Sequence, residues 1–154
     1  YYEMQMLGFN YRVTDIQAAL GRSQLNKLDR YVSRRRELVA RYNEAFADTP
    51  WLTTPWEEPG RETAWHLYVL QFDWDAIAMD RSTVMSSLRK KGIGTQVLYI
   101  PVPDQPYYRR HYPTAAKSIP NAKDYYDRAL AVPLYPDLSS DDQRRVIDAI
   151  HGLA

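Results

Sequence analysis

The hydrophobic positions near the start of the chain recur every three or four residues, which is the period of an amphipathic helix. Thr14 is followed three residues later by Gln17, a pair typical of a capping box, and the first helix is therefore predicted to start at Thr14. A second pattern with the same period follows at once and predicts a helix from Leu28 to about Ala47. The apolar positions of the first pattern are Ile16, Ala19, Leu20, Leu25 and Leu28.

Strand-like residues lie in the middle of the chain. Prolines at 50, 55 and 59 leave room for at most a short strand at 51–54. Aromatic and branched residues without Gly or Pro fill 65–72, which predicts the central strand of a sheet. Another strand is predicted at 95–100, because the three prolines of 101–106 would end its pairing.

The boundaries of the later helices follow from capping residues. Ser82 is predicted to cap a helix that runs to about Lys91, and Gly92 to supply the left-handed residue after it. A helix is also predicted at 121–131, then an extended segment at 133–136. Ser139 with Asp142 predicts the start of the last helix. Helices with a few non-consecutive strands favour one α+β domain with a largely antiparallel sheet.

Composition narrows the range of partners and locations that this chain is expected to have. The charges nearly cancel, with 20 Lys and Arg against 19 Asp and Glu, so no global field indicates nucleic acid as a partner. No apolar run approaches the roughly 18 residues of a membrane span, so no membrane is expected as a partner. The chain has no cysteine, which fits a reducing compartment and makes a cytoplasmic location the expectation. Because it lacks an initiator methionine and a leader, it is expected to be a piece of a longer protein.

No self-contained active site is recognisable. The sequence has no glycine-rich phosphate loop and no nucleophile elbow, and its three histidines lack metal-ligand spacing, so no metal is expected. Asp141 and Asp142 are interpreted as capping the last helix rather than as a catalytic pair. The arginines at 34–36 could contact nucleic acid, but a solvated or subunit-facing helix surface is favoured.

Two segments carry candidate chemistry. Gly8, Asn10 and Arg12 precede the first helix and could grip a phosphate or carboxylate, or Asn10 could stabilise a turn while Arg12 pairs with a helix carboxylate. Gln96 and Tyr99, followed by a tyrosine-rich loop, could bind a sugar or nucleotide, or could belong to a strand edge that packs on the core. Spacing alone leaves both choices open.

Residues 8–21, Gly-Phe-Asn-Tyr-Arg-Val-Thr-Asp-Ile-Gln-Ala-Ala-Leu-Gly, closely resemble the signature of the DegT/StrS sugar aminotransferases. Segments at 65–68, 92–95, 105–108 and 131–136 extend the resemblance over almost the whole chain. The pattern is most similar to enzymes that aminate a UDP-linked 4-keto-6-deoxy-N-acetylhexosamine, of the pseudaminic acid type.

The resemblance implies a homodimeric parent enzyme of fold type I that uses pyridoxal phosphate. It would transfer an amino group from glutamate to a nucleotide-linked keto sugar. Residues 1–154 would be its C-terminal small domain, with 1–47 as the connecting helical segment. The large cofactor-binding domain and its Schiff-base lysine would lie upstream, so this piece alone should be inactive. The alternative is a non-catalytic sensory or regulatory module of the same fold.

The resemblance also implies roles for particular residues. Asn10 and Arg12 would lie on the cofactor side, with Asn10 reaching across the dimer interface to the neighbouring active site. The substrate side would comprise Asn10 and the segment Thr95, Gln96, Val97, Leu98 and Tyr99. Many relatives have histidines where Leu98 and Pro103 stand here, so two polar contacts of those relatives are absent.

A domain separated from its parent should expose apolar surface that the rest of the protein covers. The tryptophans Trp51, Trp56 and Trp74 are candidates for that surface.

Overall fold

The computed structural model describes residues 6, 9, 11–114 and 119–154. The helices are α1 (Asp15–Leu25), α2 (Leu28–Phe46), α3 (Arg81–Lys90), α4 (Pro106–His111), α5 (Pro120–Arg128) and α6 (Ser140–His151), with a short 3-10 helix at Val102–Asp104. The strands are β1 (Leu52–Thr53), β2 (Tyr68–Phe72) and β3 (Ala129–Val132).

In the described ranges the strands form one antiparallel sheet in the order β1-β2-β3. β2 is central, as its composition predicted, and Tyr68 and Leu70 pair with Val132 and Leu130. Its side chains alternate between buried and half-buried positions along the strand. The antiparallel sheet with helices packed on it confirms the α+β class.

The core lies between the sheet and helices α2, α3 and α6. The ring of Tyr42 on α2 stacks on that of Tyr68 on β2, with centroids 4.8 Å apart. Both hydroxyls donate hydrogen bonds, Tyr42 to the Pro133 carbonyl at 2.9 Å and Tyr68 to Asn43 Oδ1 at 2.7 Å. Burial raises the pKa of both tyrosines, so the pair stays neutral and serves as a structural contact.

The predicted helix starts are confirmed at α1 and α6 and wrong by two residues at α3. Thr14 and Gln17 form the capping box, and the Ser139 hydroxyl accepts from the Asp142 amide. At α3 the cap is Asp80 rather than Ser82, because the Asp80 carboxylate accepts from the Thr83 amide at 2.7 Å. Ser82 already lies inside the helix and donates its hydroxyl to the same carboxylate.

Tertiary pairing changes two other predicted elements. The helix predicted at 121–131 ends at Arg128, because 129–132 pairs with β2 instead. The strand predicted at 95–100 is reduced to a single antiparallel bridge between Gln96 and Ala131. Beyond it, the Pro-rich segment forms the 3-10 helix and α4, where Pro106 fits the first helical turn because no amide donor is needed there.

The arginines at 34–36 were expected to form a solvated or subunit-facing surface, but all three are half-buried and donate to backbone carbonyls of this chain. Arg35 Nη1 donates to the backbone carbonyls of Trp65, His66 and Leu134 at 3.0, 2.9 and 3.1 Å. Arg34 and Arg36 donate in the same way to the carbonyls of Leu138 and Thr63. This arginine clamp holds α2 against two separate loops, so the run is structural and gives no support to nucleic-acid binding.

Apolar exposure is concentrated at the N-terminal helix rather than at the tryptophans. No side chain of α1, which is described throughout, is buried, and Ile16 is 83% exposed. Trp51 and Trp74 instead pack on Phe72 in the core, with ring centroids 5.9 and 4.5 Å from it. Of the three tryptophans proposed for the surface, Trp56 alone is strongly exposed.

Candidate functional site

The segment after α3 is held in place from both ends. Gly92 has a φ of 76°, in the left-handed region that glycine tolerates, and this ends α3 as predicted. The Ile93 amide then donates to the Leu88 carbonyl at 2.9 Å, and the Ile93 side chain is buried. Further on, Gln96 exchanges two backbone hydrogen bonds with Ala131, at 3.1 and 2.8 Å. Residues 92–96 are therefore positioned by α3 and β3.

A cavity of about 540 Å³ opens beside this segment, within the size range of small-molecule sites. Its walls are residues 92–96 and 131–135 together with Leu67, Leu138, Asp142, Arg145 and Val146 on the facing elements. Apolar side chains share this lining with Thr95, Gln96, Asp142 and Arg145 and with backbone polar groups, so polar and apolar atoms contribute almost equally to the cavity surface.

An ion pair lies at the cavity wall. Arg145 Nη1 is 2.9 Å from Asp142 Oδ1, and Arg145 Nη2 donates to the Lys91 carbonyl at 3.2 Å. The hydrogen bond from the Ser139 hydroxyl, and then the contact with Arg145, lower the pKa of Asp142. Asp142 thus has the capping role assigned to it, and also lines the cavity. Arg145 was missed as a cavity residue, and its position three residues after Asp142 was the only signal for it.

The predicted substrate-side residues are divided between the cavity and the surface. Thr95 and Gln96 line the cavity. Val97 is half-buried and packs on the core, and Leu98 is half-buried as well. Tyr99 is 76% exposed and does not line this cavity. The structure therefore brings only part of the predicted set into one concave site.

The tyrosine-rich loop forms its own exposed cluster on α4. The rings of Tyr107 and His111 lie 4.6 Å apart, and Tyr107 meets Tyr108 edge-on at 5.3 Å. Asp104, just before α4, is 3.4 Å from Arg109 and 3.5 Å from Lys123, which links the loop to α5. The cluster offers aromatic faces to solvent, of the kind that the sugar or nucleotide interpretation requires.

The N-terminal candidate segment is described only in part. Asn10 and Gly8 lie outside the described residues. Arg12 is exposed in the stretch that leads into α1, and it makes no hydrogen bond or ion pair with another described residue. The ion pair with a helix carboxylate, which was one interpretation of Arg12, is therefore not formed within this part of the chain.

The described ranges, 6, 9, 11–114 and 119–154, offer neither a metal site nor a membrane span. They contain no group of three or more His, Cys, Asp or Glu side chains that could hold a metal ion. None of the helices described above has both the length and the apolar character needed to cross a bilayer.

The described residues do not by themselves fit pyridoxal phosphate. Of the lysines in these ranges, Lys123 pairs with Asp104, and neither it nor Lys27, Lys90 or Lys91 lines the 540 Å³ cavity. Arg12 offers a donor for a phosphate, but no described lysine lies with it in a common pocket. This part of the chain supplies at most one wall of a cofactor site.

Relatives of known structure share this fold. Helicobacter pylori PseC, an aminotransferase involved in the biosynthesis of pseudoaminic acid, matches with a TM-score of 0.84 and 26% identity, covering 98% of this chain and 40% of PseC. S. venezuelae DesV, solved with a ketimine intermediate, matches with a TM-score of 0.84 and 31% identity, over 98% of this chain and 39% of DesV.

Sequence relatives give the same result. The chain is 42% identical over 154 residues to the spore coat polysaccharide biosynthesis protein SpsC of Bacillus subtilis, covering 99% of this chain and 40% of SpsC. It therefore spans about 40% of the length of the relatives that it matches. The family model for the DegT/DnrJ/EryC1/StrS aminotransferase family matches residues 1–151, and the chain belongs to that family.

Proposed function

We propose that residues 1–154 are the C-terminal small domain of a pyridoxal-phosphate-dependent aminotransferase, with 1–47 as its connecting helical segment. The parent enzyme transfers an amino group from glutamate to a nucleotide-linked keto sugar. Family membership over residues 1–151 carries this proposal. The relatives PseC and SpsC, named for sugar and polysaccharide biosynthesis, support a sugar as the acceptor.

The cofactor is held mainly by the part of the parent outside residues 1–154. Pyridoxal phosphate, when bound, supplies an electron sink for amino transfer. The absence of a described lysine from the cavity supports placing the covalently bound lysine elsewhere in the parent, so the piece alone should be inactive.

Arg12, with Asn10, is proposed to donate to the phosphate of the cofactor in the neighbouring subunit. The Arg12 side chain is exposed and makes no hydrogen bond or ion pair with another described residue, so its guanidinium can donate to a ligand. Charge-assisted hydrogen bonds of this kind to phosphate are strong. The proposal includes a homodimer, and the exposed apolar side chains of α1 support a covering surface next to Arg12. The proposal also includes a cytoplasmic location, which the lack of cysteine in the chain supports.

Residues 95–99 are proposed to contact the nucleotide sugar. Thr95 and Gln96 in the cavity wall can orient hydroxyl groups, and exposed Tyr99 can stack on a ring. Leu98 has no polar atoms in its side chain, so its backbone would provide any hydrogen bond at that position.

The test uses the full-length protein that contains this chain, with pyridoxal phosphate, glutamate and a UDP-linked 4-keto-6-deoxy-N-acetylhexosamine. Amino transfer and cofactor absorbance near the lysine-bound band are the expected results. Arg12→Ala should raise the apparent Kd for pyridoxal phosphate at least tenfold, since it removes a charge-assisted hydrogen bond. The control is Arg144→Ala, an arginine with a 70% exposed side chain on α6, away from α1 and Arg12. A full-length protein that binds no cofactor would show the proposal to be wrong.

A further inference from the structure

Two cations share one shielded carboxylate beside α4. Arg109 Nη2 and Lys123 Nζ lie 3.4 and 3.5 Å from the same oxygen, Asp104 Oδ1. The Asp104 side chain is 11% exposed, whereas those of Arg109 and Lys123 are open to solvent over much of their surface. Both distances exceed that of an ordinary N–H···O hydrogen bond, and most donors of the two cations are not used by other described residues. The group therefore carries a net positive charge and offers donors to a ligand.

The loop that carries this group is preformed and joins the segment 95–99. The Asp104 amide donates to the Pro101 carbonyl at 2.7 Å, which fixes the 3-10 helix before α4. The Gln105 side chain donates from Nε2 to the Ile100 carbonyl, at a distance of 3.5 Å. Because Ile100 follows Tyr99 directly, this contact keeps the start of α4 next to the residues proposed to contact the nucleotide sugar.

One side of α4 adds an exposed aromatic ring to the cations. Residues three and four apart lie on the same side of a helix, so Tyr112 shares a side with Arg109 and Tyr108. The Tyr112 amide continues the helical pattern with a hydrogen bond of 2.7 Å to the Tyr108 carbonyl, and Tyr112 is 55% exposed. Tyr107, which is two residues from Arg109 and does not face it, packs on His111 instead, with ring centroids 4.6 Å apart. The side of α4 that holds Arg109 therefore combines cations with an open ring.

This combination matches the two parts of a nucleoside diphosphate. Phosphate oxygens accept charge-assisted hydrogen bonds from arginine and lysine, and a planar base stacks on a tyrosine ring. A nucleic acid would require a longer row of phosphate contacts than one pair of cations, and the charges of the whole chain nearly cancel. The patch therefore favours one small nucleotide over a polymer.

We propose that Arg109 and Lys123 bind the diphosphate of a nucleoside diphosphate and that Tyr112 stacks on its base. This inference rests on the proposed function in one respect, because the nucleotide is taken to be the carrier half of the keto sugar. It assigns that half to a separate patch, since Arg109, Lys123 and Tyr112 do not line the 540 Å³ cavity. Residues 95–99 then contact the sugar half.

The experiment measures binding of UDP and of uridine to the full-length protein that contains this chain, by ligand-observed NMR and without glutamate or keto sugar. Arg109→Ala and Lys123→Ala should each raise the Kd for UDP about tenfold and leave that for uridine unchanged, since uridine has no phosphate. Tyr112→Leu should raise both Kd values about tenfold, and Tyr112→Phe should retain the original values because stacking requires only the ring.

The other side of α4 offers matched controls. Arg110→Ala changes a neighbouring exposed arginine, and Tyr107→Leu changes a tyrosine that is 61% exposed, so neither should alter the Kd for UDP or for uridine. Circular dichroism should show the same unfolding transition for every variant, because all of these side chains are at least partly exposed.

Other results would overturn this inference. An equal loss of UDP affinity in Arg110→Ala and Arg109→Ala would mean that positive charge acts without a defined site. A Kd for uridine that Tyr112→Leu leaves unchanged would place the base elsewhere, and tighter binding of oligouridine than of UDP would assign the patch to RNA. Because binding is read without catalysis, UDP bound at α4 by a protein that transfers no amino group would contradict the proposed function alone. Amino transfer with UDP affinities that no variant changes would contradict this inference alone.

Discussion

Helices α1 and α2 follow each other in the chain and look alike in sequence, but their surroundings differ. α2 buries Leu38, Val39, Tyr42 and Phe46 in the core. α1 buries nothing, although its apolar positions recur with the same helical period. An amphipathic pattern therefore predicts that one face of a helix will be buried. It does not reveal which part of the protein packs on that face.

The largest contrast should come from leucine truncations in the two regions. Leu130→Ala in β3, where the side chain is fully buried, should lower the free energy of unfolding by about 2–5 kcal/mol, since it leaves a cavity. The matched change Leu20→Ala on α1 should lower it by less than about 0.5 kcal/mol. Urea unfolding of residues 1–154 followed by circular dichroism measures both. Equal losses would mean that α1 is packed in solution.

A substitution in the arginine clamp should cause the second-largest loss in the free energy of unfolding. Arg35→Ala removes charged hydrogen bonds to three carbonyls, and the free energy of unfolding should fall by about 2 kcal/mol. Arg35→Lys should recover only part of this, because an ammonium lacks the planar fork of a guanidinium. The control is Arg30→Ala, whose guanidinium lies 5.2 Å from the Tyr31 ring centroid, with an expected change within about 0.5 kcal/mol. Full rescue by lysine would contradict the proposed geometry.

Removing a helix cap should affect the free energy of unfolding differently in the core and at α1. Ser139→Ala should destabilise the whole domain by about 1 kcal/mol, because α6 is part of the core. Thr14→Ala removes the equivalent cap of α1, and it should reduce helical ellipticity at low temperature without moving the main unfolding transition. A shift of that transition by Thr14→Ala would show that α1 unfolds together with the core.

The smallest effect should be a pH dependence of the free energy of unfolding that arises at Asp80, the N-cap of α3. Hydrogen bonds from Thr83 and then Ser82 hold the pKa of Asp80 below its ordinary 3.8. A lowered pKa in the folded state stabilises the fold above the unfolded value, and this contribution is lost as pH falls through the folded pKa. Asp80→Asn keeps the cap, so its free energy of unfolding should vary less with pH below about 3.8 than that of the original chain. Parallel pH profiles would contradict this assignment.

Local signals were sufficient for several elements. The pairs Thr14 with Gln17 and Ser139 with Asp142 each place both partners within one helical turn, so their hydrogen bonds depend on little else. Gly92 could be recognised for the same reason, since its left-handed backbone is a property of one residue. The strand at 129–132 could not be recognised in this way. Its sequence, Ala-Leu-Ala-Val, is compatible with a helix, and it forms a strand because it pairs with β2.

The candidate site depends on long-range contacts, and these limited how much of it the sequence could predict. Nothing near Arg35 in the sequence indicates carbonyl acceptors at Trp65 and Leu134, so the run at 34–36 was assigned to the surface. Gln96 was suggested by its residue type and Thr95 by the family resemblance, but their meeting with Asp142 and Arg145 in one cavity depends on where α6 packs. Residue types could therefore suggest the ligand class, while the shape of the site required the fold.

The bonds that hold α2 connect it to residues made much later. Tyr42, Arg35 and Leu38 are joined to Pro133, Leu134 and Gln143 across separations of 91, 99 and 105 residues. At a synthesis rate of about 5–20 residues per second, their partners leave the ribosome roughly 5 to 20 seconds after α2 does. During translation α2 therefore lacks its contacts with 133–143 for that interval, while β2, which carries Tyr68, has already been made and can cover part of its apolar face.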